Sequence, residues 1–352
     1  MFGSLSLVLL LVSPTAPRPD PSDVPAGASG GSQARSLELL EVAEVWSEAP
    51  HAAFTDLVAH GDGLVLAFRE GRGHVSSDGA LRILRSTDGR AFRSVARLTL
   101  DGHDLRDADL SHLPDGRLCL IGGAAPRPAD GERAPTGTVA SFSSDGETWT
   151  APRIVVEPGR WLWRLAWLGE RAYGFSYSAG SGAARLDLLG STDALAWETL
   201  ARDVHPEVPS NETALAFEPD PDAEGDGAVR MVALVRAQGR EDASVGVARA
   251  PFTAFTWQSV GTYVGGPNLI RTAGGAWIAA GRVFVEDEPR TAVFFLDPET
   301  GETAGTLHLP SGGDNSYPGL AWWQDELLVS YYSSHGAERR SRIYVARVRC
   351  TE

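Results

Sequence analysis

The chain has 352 residues and a formal net charge of −15 at pH 7. This charge opposes binding to phosphate backbones and anionic membranes, so we expect no nucleic-acid partner. All 31 basic residues are Arg and no Lys occurs, which excludes Schiff-base chemistry and lysine-dependent phosphate loops. The 39 Gly and 22 Pro suit many short strands joined by tight turns.

The N-terminal residues 1–16 are predicted to be a secretory signal peptide. They contain the apolar run Leu7-Val8-Leu9-Leu10-Leu11, which is too short to span a bilayer, and a Pro/Gly/Ser-rich linker follows at residues 17–35. Because Met1-Phe2-Gly3 has no basic residue, an apolar N-terminus on a cytoplasmic protein is the alternative. We expect a secreted or periplasmic monomer, without a membrane span, in which residues 36–352 form one domain.

Apolar runs typical of strands recur along residues 36–352, with turn residues between them. The runs include 64–68, 81–84, 116–120, 138–142, 231–235 and 291–295. The final run, 342–346, is predicted to pair with the first, 37–46, and so to close a ring of strands without free edges.

A short phrase, an Asp-containing turn followed by an aromatic residue, occurs three times. Its copies are Ser86-Thr87-Asp88-Gly89 running to Phe92, Ser144-Asp145-Gly146 running to Trp149, and Ser191-Thr192-Asp193 running to Trp197. Successive Asp residues are 57 and 48 positions apart, and Asp297 follows 104 positions later. Repeats of about 50 residues built from short strands are typical of propeller blades. The sequence therefore predicts an all-β fold, a six-bladed β-propeller of four-stranded antiparallel blades.

The repeated phrase resembles the Asp box, Ser-x-Asp-x-Gly-x-x-Trp, of the sialidase-type six-bladed propellers, with one residue fewer between Asp and Trp than the fullest form. The resemblance extends over nearly all of residues 50–346. The Asp box implies the fold only, since it lies on outer turns in that family. Segment 66–79, Leu-Ala-Phe-Arg-Glu-Gly-Arg-Gly-His-Val-Ser-Ser-Asp-Gly, is similar to the part of sialidases in which an Arg precedes a loop Asp. The resemblance implies that Asp78 is the acid/base. His74, in the same loop, is an alternative proton carrier.

Three further segments carry the resemblance. Asn211-Glu212-Thr213 resembles the stretch whose Glu polarises a nucleophilic Tyr, and Ser316-Tyr317-Pro318 resembles the motif that contains this Tyr. Leu234-Val235-Arg236 and Glu288-Pro289-Arg290 resemble strands that supply carboxylate-binding arginines. The candidate catalytic residues are Asp78, Glu212 and Tyr317, and the candidate substrate-binding residues are Arg69, Arg72, His74, Arg106, Asp107, Asn211, Arg236, Asn268, Arg282 and Arg290.

The sequence departs from the family at the first blade. Family members have an Arg-Ile-Pro segment there, whose Arg completes the carboxylate-binding triad, whereas this chain has Ala53-Phe54-Thr55-Asp56-Leu57. Arg69 and Arg106 are the candidates to replace that Arg. Its loss makes sialic acid itself a doubtful substrate.

The pattern of residues favours cleavage of a glycoside of a sugar acid. Such a reaction needs a nucleophile, a proton donor and a guanidinium cluster for the fixed carboxylate. We expect an acidic glycan substrate and a mechanism without cofactor or metal, because zinc, nucleotide-loop and Ser-His-Asp signatures are absent from the sequence. The alternatives are a carbohydrate-binding propeller without catalysis, a polysaccharide lyase that uses Tyr317 as base, and a structural or protein-binding propeller.

Overall fold

The computed structural model describes residues 35–127, 135–178, 185–222 and 228–352. The predicted signal peptide, residues 1–16, and the linker up to residue 34 lie outside this part of the chain. The described residues contain 24 strands. In chain order these are β1 (Ser36–Trp46), β2 (His51–His60), β3 (Gly63–Gly71), β4 (Ala80–Ser86), β5 (Arg93–Leu98), β6 (His103–His112), β7 (Leu118–Pro126), β8 (Gly137–Ser143), β9 (Arg153–Val156), β10 (Arg160–Leu168), β11 (Arg171–Ser178), β12 (Leu186–Ser191), β13 (Glu198–Ala201), β14 (Ser210–Pro219), β15 (Val229–Ala237), β16 (Ser244–Arg249), β17 (Thr256–Ser259), β18 (Gly265–Arg271), β19 (Trp277–Val285), β20 (Glu288–Leu296), β21 (Thr303–His308), β22 (Asn315–Trp323), β23 (Glu326–Ser333) and β24 (Arg342–Thr351).

The strands form six four-stranded antiparallel sheets, which are the six predicted blades. Blades 1 to 5 run in chain order, β2-β3-β4-β5, β6-β7-β8-β9, β10-β11-β12-β13, β14-β15-β16-β17 and β18-β19-β20-β21, and blade 6 is β22-β23-β24-β1. The first strand of each blade contacts the first strands of the two neighbouring blades, from β2 through β6, β10, β14 and β18 to β22 and back to β2. These six strands therefore surround the central axis, and the predicted fold class is confirmed.

The ring is closed by the two ends of the domain. Strand β1 pairs antiparallel with β24, with Val42 opposite Ala346 and Leu37 opposite Cys350. The predicted pairing of 37–46 with 342–346 is thus confirmed. Cys119 and Cys350 are both free thiols. No helix within the four described ranges has the length and apolar character needed to cross a membrane.

The repeated phrase forms the same turn in three blades, between the third and fourth strands. In the first copy Ser86 Oγ accepts from Gly89 N at 2.9 Å, and Asp88 Oδ1 accepts from Ala91 N at 2.8 Å. The second copy uses Ser143 in place of the expected Ser144, since Ser143 Oγ bonds Gly146 N. Hydrogen bonds from backbone N–H groups lower the pKa of Asp88. These turns fix the outer strands and lie apart from the axis.

Each of the six inner strands contains one β-bulge. The register shifts fall between Ala53 and Asp56, Arg106 and Asp109, Trp163 and Leu165, Ser210 and Thr213, Gly265 and Asn268, and Ser316 and Gly319. We call them the axial bulges. In five of them the backbone has positive φ, at Phe54, Asp107, Arg164, Gly266, Ser316 and Tyr317. Because a bulge re-aims a side chain, the six bulges decide which residues reach the axis.

A buried arginine in the bulge of blade 3 joins this blade to blades 1, 5 and 6. The guanidinium of Arg164 donates to Asp56 Oδ1 at 2.9 Å, to the Pro267 carbonyl at 3.1 Å and to the Pro318 carbonyl at 3.0 Å. Asp109 of blade 2 lies 3.4 Å from the same group. All three guanidinium nitrogens of this buried cation bond to acceptors on other blades, so it is a cross-link between inner strands.

Candidate active site

Tyr317 and Glu212 meet at the axis although 105 residues separate them. The Tyr317 hydroxyl donates to Glu212 Oε1 at 2.6 Å. Tyr317 belongs to the bulge of β22 and Glu212 to that of β14, and both residues are buried. Phe54 and Trp163 from two other bulges pack edge-on against the Tyr317 ring, with centroids 5.0 and 5.8 Å away. Four blades thus fix the position of one phenol.

Gly266 in the bulge of blade 5 makes room for this pair. Its φ is 56°, which favours glycine. A Cβ at this position would lie 2.5 Å from Tyr317 Cγ, well inside van der Waals contact. The Gly266 N–H donates to Glu212 Oε2 at 2.9 Å. The glycine therefore both admits the tyrosine ring and holds the carboxylate that the tyrosine contacts.

Three partly buried arginines surround the pair. Arg236 Nη1 donates to Glu212 Oε1 at 2.6 Å and to the Tyr317 hydroxyl at 3.1 Å. The Arg282 guanidinium lies 5.6 Å from the centre of the Tyr317 ring and donates to the Tyr332 hydroxyl at 2.9 Å. Arg106 lies over the Phe54 ring at 5.0 Å. With Glu212, Tyr317 and Asp107, described below, these arginines make up what we call the axial site.

The environment gives Glu212 and Tyr317 opposite protonation states. Burial acts to raise the pKa of Glu212, but Arg236 and the hydrogen bonds from Tyr317 and Gly266 outweigh it and hold this pKa below its usual range. Burial and the Glu212 charge raise the pKa of Tyr317 well above its usual range, although Arg236 and Arg282 oppose them. An ionised carboxylate thus accepts a hydrogen bond from a neutral phenol, which is the resting state of a base beside a nucleophile.

Asp107 is the acidic member of the bulge in blade 2. Its backbone has φ of 46°, and only 6% of the residue is exposed. Burial is the main effect on its carboxyl and, with the negative charges of Glu212 and Asp104, raises its pKa to about 7 despite Arg106 and Arg69. Oδ1 is buried and has no hydrogen-bond partner among the described residues.

His51, His74 and Asp314 form a cluster beside the axial site. His74 Nδ1 donates to Asp314 Oδ2 at 2.8 Å, and His74 Nε2 lies 3.5 Å from Arg106 Nη2. Burial acts to raise the pKa of Asp314, but the two histidines and Arg282 hold it well below its usual range. Asp314 Oδ1 also accepts from Tyr332 at 2.9 Å. The cluster therefore connects the loop of His74 to the strand that carries Tyr317.

The three potential ligand atoms of this cluster lie within 4.8 Å of one another, which is close enough for one metal ion. The remaining ring nitrogens fit that role poorly. A metal on His74 Nδ1 requires a proton on Nε2, which would then face the donors of Arg106. A metal on His51 Nε2 requires a proton on Nδ1, a buried atom without an acceptor among the described residues. The geometry fits a hydrogen-bonded cluster better than a metal site.

Two residues from the predicted first-blade segment are bound within their own loop. Asp78 accepts from Arg72 Nε and from the Arg72 backbone N–H, both at 3.2 Å. It lines a cavity of about 230 Å³ with Trp46, Arg82 and Arg97, and the lining of this cavity includes neither Tyr317 nor Glu212. The structure thus does not bring Asp78 into contact with the Tyr317–Glu212 pair.

Arg69 is completely buried and stabilises the loop that follows its strand. It donates to Asp104 Oδ1 and to the Gly73 carbonyl, both at 2.8 Å, and to Ser76 Oγ at 3.0 Å. Asp104 also pairs with Arg127 at 3.2 Å. The hydrogen bonds of Arg69 therefore go to its own loop and to Asp104, whereas Arg106 lies over Phe54 in the axial site.

The other candidate residues have local roles in the described contacts. Asn211 Oδ1 accepts from Glu212 N at 2.8 Å, and Asn268 donates to the Pro318 carbonyl at 3.0 Å, so both stabilise axial bulges. Arg290 donates to the Pro289 carbonyl at 2.9 Å and lies 3.9 Å from Glu288. The contacts of Arg290 do not include a residue of the axial site.

Sequence analysis missed Phe54 and Trp163 as walls of the site, Arg164 as its cross-link and Asp314 as the partner of His74. Phe54 and Arg164 lie a few residues into the first strand of a blade, as Asp107 and Tyr317 do. This shared position was the usable signal for them. Asp314 had no such signal, because its role depends on contacts with residues 240 to 263 positions away.

Neither a protein-family model nor a curated protein sequence matches this chain. Solved structures do resemble it. A protein of unknown function from Dyadobacter fermentans is 18% identical with a TM-score of 0.75, covering 90% of this chain and 100% of that one. An α-L-arabinanase of Penicillium chrysogenum, complexed with arabinobiose, is 16% identical with a TM-score of 0.62, covering 89% and 97%. A Trypanosoma rangeli sialidase with the inhibitor DANA is 10% identical with a TM-score of 0.60, covering 85% of this chain and 55% of that one. The chain shares the six-bladed propeller fold of the arabinanase and the sialidase.

Proposed function

We propose that the protein is a glycoside hydrolase that releases a carboxylated sugar, a ulosonic or uronic acid, from a glycan. The observation that carries the proposal is the 2.6 Å contact between the Tyr317 hydroxyl and Glu212 Oε1, made at the propeller axis beside Arg236. The fold shared with a sialidase and an arabinanase supports hydrolysis at this place. Export, expected from residues 1–16, fits a glycan outside the cytoplasm.

In the proposed reaction the Tyr317 oxygen attacks the anomeric carbon while its proton passes to Glu212. Arg236 contacts both oxygens and so stabilises the phenolate as it forms. A neutral nucleophile suits a sugar acid, because a carboxylate nucleophile would be repelled by the substrate's own carboxylate. The resemblance to sialidases gives the proton donor's role to Asp78.

The arginines support an anionic substrate. Side chains of Arg106, Arg236 and Arg282 are 13%, 22% and 21% exposed, so part of each remains accessible. Arg106 Nε and Arg236 Nε have no acceptor among the described residues. Planar guanidinium groups bind carboxylates with two parallel hydrogen bonds, which is the interaction that a sugar acid offers.

A carbohydrate-binding protein without turnover is the second candidate. The observation that favours it is that the first-blade stretch 53–57, where the sialidase resemblance expects an arginine, contains none and presents the ring of Phe54 to Tyr317. A missing arginine weakens the positioning of the substrate carboxylate, and catalysis depends on such positioning more steeply than binding does.

The test is hydrolysis of 4-methylumbelliferyl glycosides of N-acetylneuraminic, 3-deoxy-ulosonic and glucuronic acids, with the α-L-arabinofuranoside as a neutral comparison. Tyr317→Phe and Glu212→Gln are compared with Tyr173→Phe, a matched control whose ring packs against Phe217 and Phe252. We expect turnover of an acidic glycoside that falls at least about 100-fold in the two site variants and is retained in the control.

Three outcomes separate the candidates. Turnover that survives both site variants would refute the proposed mechanism. Saturable binding of an acidic glycan to the wild-type protein, with no product after prolonged incubation, would instead establish the binding protein. Turnover of the arabinofuranoside alone would refute the carboxylated substrate.

A further inference from the structure

Asp107 occupies the same kind of position as the two residues of the proposed nucleophilic pair. It lies in the axial bulge of β6, as Glu212 and Tyr317 lie in those of β14 and β22. Its φ of 46° is a left-handed conformation that a residue with a side chain adopts at some energetic cost. Strain of this kind is retained where it positions a functional group.

The carboxyl of Asp107 lacks the partners that an ionised carboxylate needs. The residue is 6% exposed, and no hydrogen bond joins its buried Oδ1 to any described residue. The neighbouring Asp104 differs sharply, since it accepts from Arg69 at 2.8 Å and from Arg127 at 3.2 Å. Burying a negative charge without such bonds is costly, so the neutral acid is the favoured form of Asp107.

The groups around Asp107 come from seven strands. Arg106, Asp104 and Asp109 share its own strand β6, Arg69 faces it from β3, Arg164 from β10, Tyr177 from β11, Glu212 from β14, Tyr317 from β22 and Tyr332 from β23. Burial is the largest effect on Asp107; Arg106 lowers its pKa and the Glu212 charge raises it, and the result is a pKa of about 7. The pKa of Glu212, in contrast, is lowered. Two carboxyl groups with oppositely shifted pKa values are the usual arrangement of an acid and a base in one site.

We propose that Asp107 is the acid that protonates the glycosidic oxygen and the base that later activates water. This inference rests on the function proposed above. In the first step the Asp107 proton goes to the leaving oxygen as the glycosidic C–O bond breaks, and Tyr317 forms a bond to the anomeric carbon while Glu212 takes its proton. In the second step the Asp107 carboxylate removes a proton from water, whose oxygen displaces Tyr317, and Glu212 returns the proton to the phenolate. The two steps together restore the starting protonation states of Asp107, Glu212 and Tyr317.

The experiment compares two glycosides of one sugar acid, the 4-methylumbelliferyl glycoside and the methyl glycoside, over a range of pH. An aryl leaving group departs with little protonation, whereas an alkyl one needs the acid. We expect Asp107→Asn to slow the methyl glycoside by about 100- to 10,000-fold and the aryl glycoside much less. The fall in wild-type kcat/KM above about pH 7 should disappear in Asp107→Asn and persist in Asp107→Glu, which keeps a carboxyl group.

Asp78→Asn is the rival variant, and Asp62→Asn, at an Asp that is 86% exposed, controls for the loss of one charge. We expect Asp78→Asn to keep the alkaline fall and the wild-type ratio of aryl to methyl turnover, whatever its effect on the overall rate. If Asp78→Asn shows the altered ratio and the lost alkaline fall while Asp107→Asn does not, the assignment to Asp107 is wrong. Equal slowing of both glycosides by Asp107→Asn, with an unchanged pH profile, would also overturn it.

A wild-type protein that hydrolyses none of the acidic glycosides is a failure of the proposed function and not of Asp107 alone. Infrared difference spectra over a pH titration then decide the state of Asp107 without turnover. A carboxyl band that titrates near pH 7 and is missing from Asp107→Asn supports the protonated acid. Its absence from the wild-type protein overturns the inference.

Discussion

Replacing Asp107 by Asn should change the dependence of stability on pH in a direction that the structure fixes. The carboxyl has an ordinary pKa of 3.8 in the unfolded chain and a pKa of about 7 in the fold. Between these values the unfolded chain has lost the proton and the folded protein keeps it. The folded state then binds more protons, so the free energy of unfolding falls as pH rises and reaches its lower plateau above about pH 7.

The size of the effect follows from the shift. One pKa unit corresponds to about 1.4 kcal/mol, so the wild-type protein should lose about 4 kcal/mol of Asp107-dependent stability between pH 3.8 and pH 7. Asn at this position cannot titrate, and any cost of burying its amide is independent of pH. The unfolding free energy of wild type minus that of Asp107→Asn should therefore decrease by about 4 kcal/mol over this range.

The assay is urea unfolding followed by the fluorescence of the ten Trp residues, at closely spaced pH values. Asp62→Asn serves again as the control for removal of one carboxylate from the surface. A difference between wild type and Asp107→Asn that stays constant from pH 4 to pH 8 would mean that the buried carboxyl is already ionised in the folded protein. That result would remove the physical basis for its role as a proton donor.

Two further substitutions test the geometry of the axis. Gly266→Ala should destabilise the fold by more than about 1 kcal/mol, because alanine is strained at φ of 56°. It should also lower kcat by about 100-fold, because its Cβ would displace the Tyr317 ring. Unchanged kinetics would contradict the packing argument. Arg164→Ala should lower the free energy of unfolding in urea by about 3–5 kcal/mol, because it leaves the buried carboxylate of Asp56 without its arginine partner. Arg117→Ala, at an exposed ion pair, should lower it by less than about 1 kcal/mol. Equal effects of the two arginine variants would refute the cross-link.

The resemblance carried by short motifs predicted some of the site well. Glu212, Tyr317 and Arg236 were each identified from three-residue segments, and the structure brings these three side chains into mutual hydrogen bonding. These motifs can be recognised in the sequence because each lies in the bulge or strand that orients the side chain. Asp78 is different, because its described contacts are with Arg72 in its own loop and its role as acid/base stays a prediction.

Other assignments depended on competition between neighbouring residues, which a linear motif does not reveal. Arg69 and Arg106 were equivalent candidates from sequence, yet Asp104 and the loop carbonyl of Gly73 take the donors of Arg69, while Arg106 extends over Phe54. The same competition separates Asp104 from Asp107. Which carboxylate receives arginine partners is decided by side-chain geometry within a few ångströms, and this geometry is set by blade packing.

The sequence by itself determined the ring. A repeated turn is built from hydrogen bonds between residues two or three positions apart, as in Ser86 with Gly89, so its spacing can be read along the chain and counts the blades. Only the tertiary structure decided the chemistry at the axis. The axial bulges of β6, β14 and β22 contain Asp107, Glu212 and Tyr317, and the packing of the blades buries all three residues. Burial raises the pKa of Asp107, whereas Arg236 and the hydrogen bonds from Tyr317 and Gly266 lower the pKa of Glu212. The contrast between the two carboxyl groups therefore arises from their surroundings and not from the residue type.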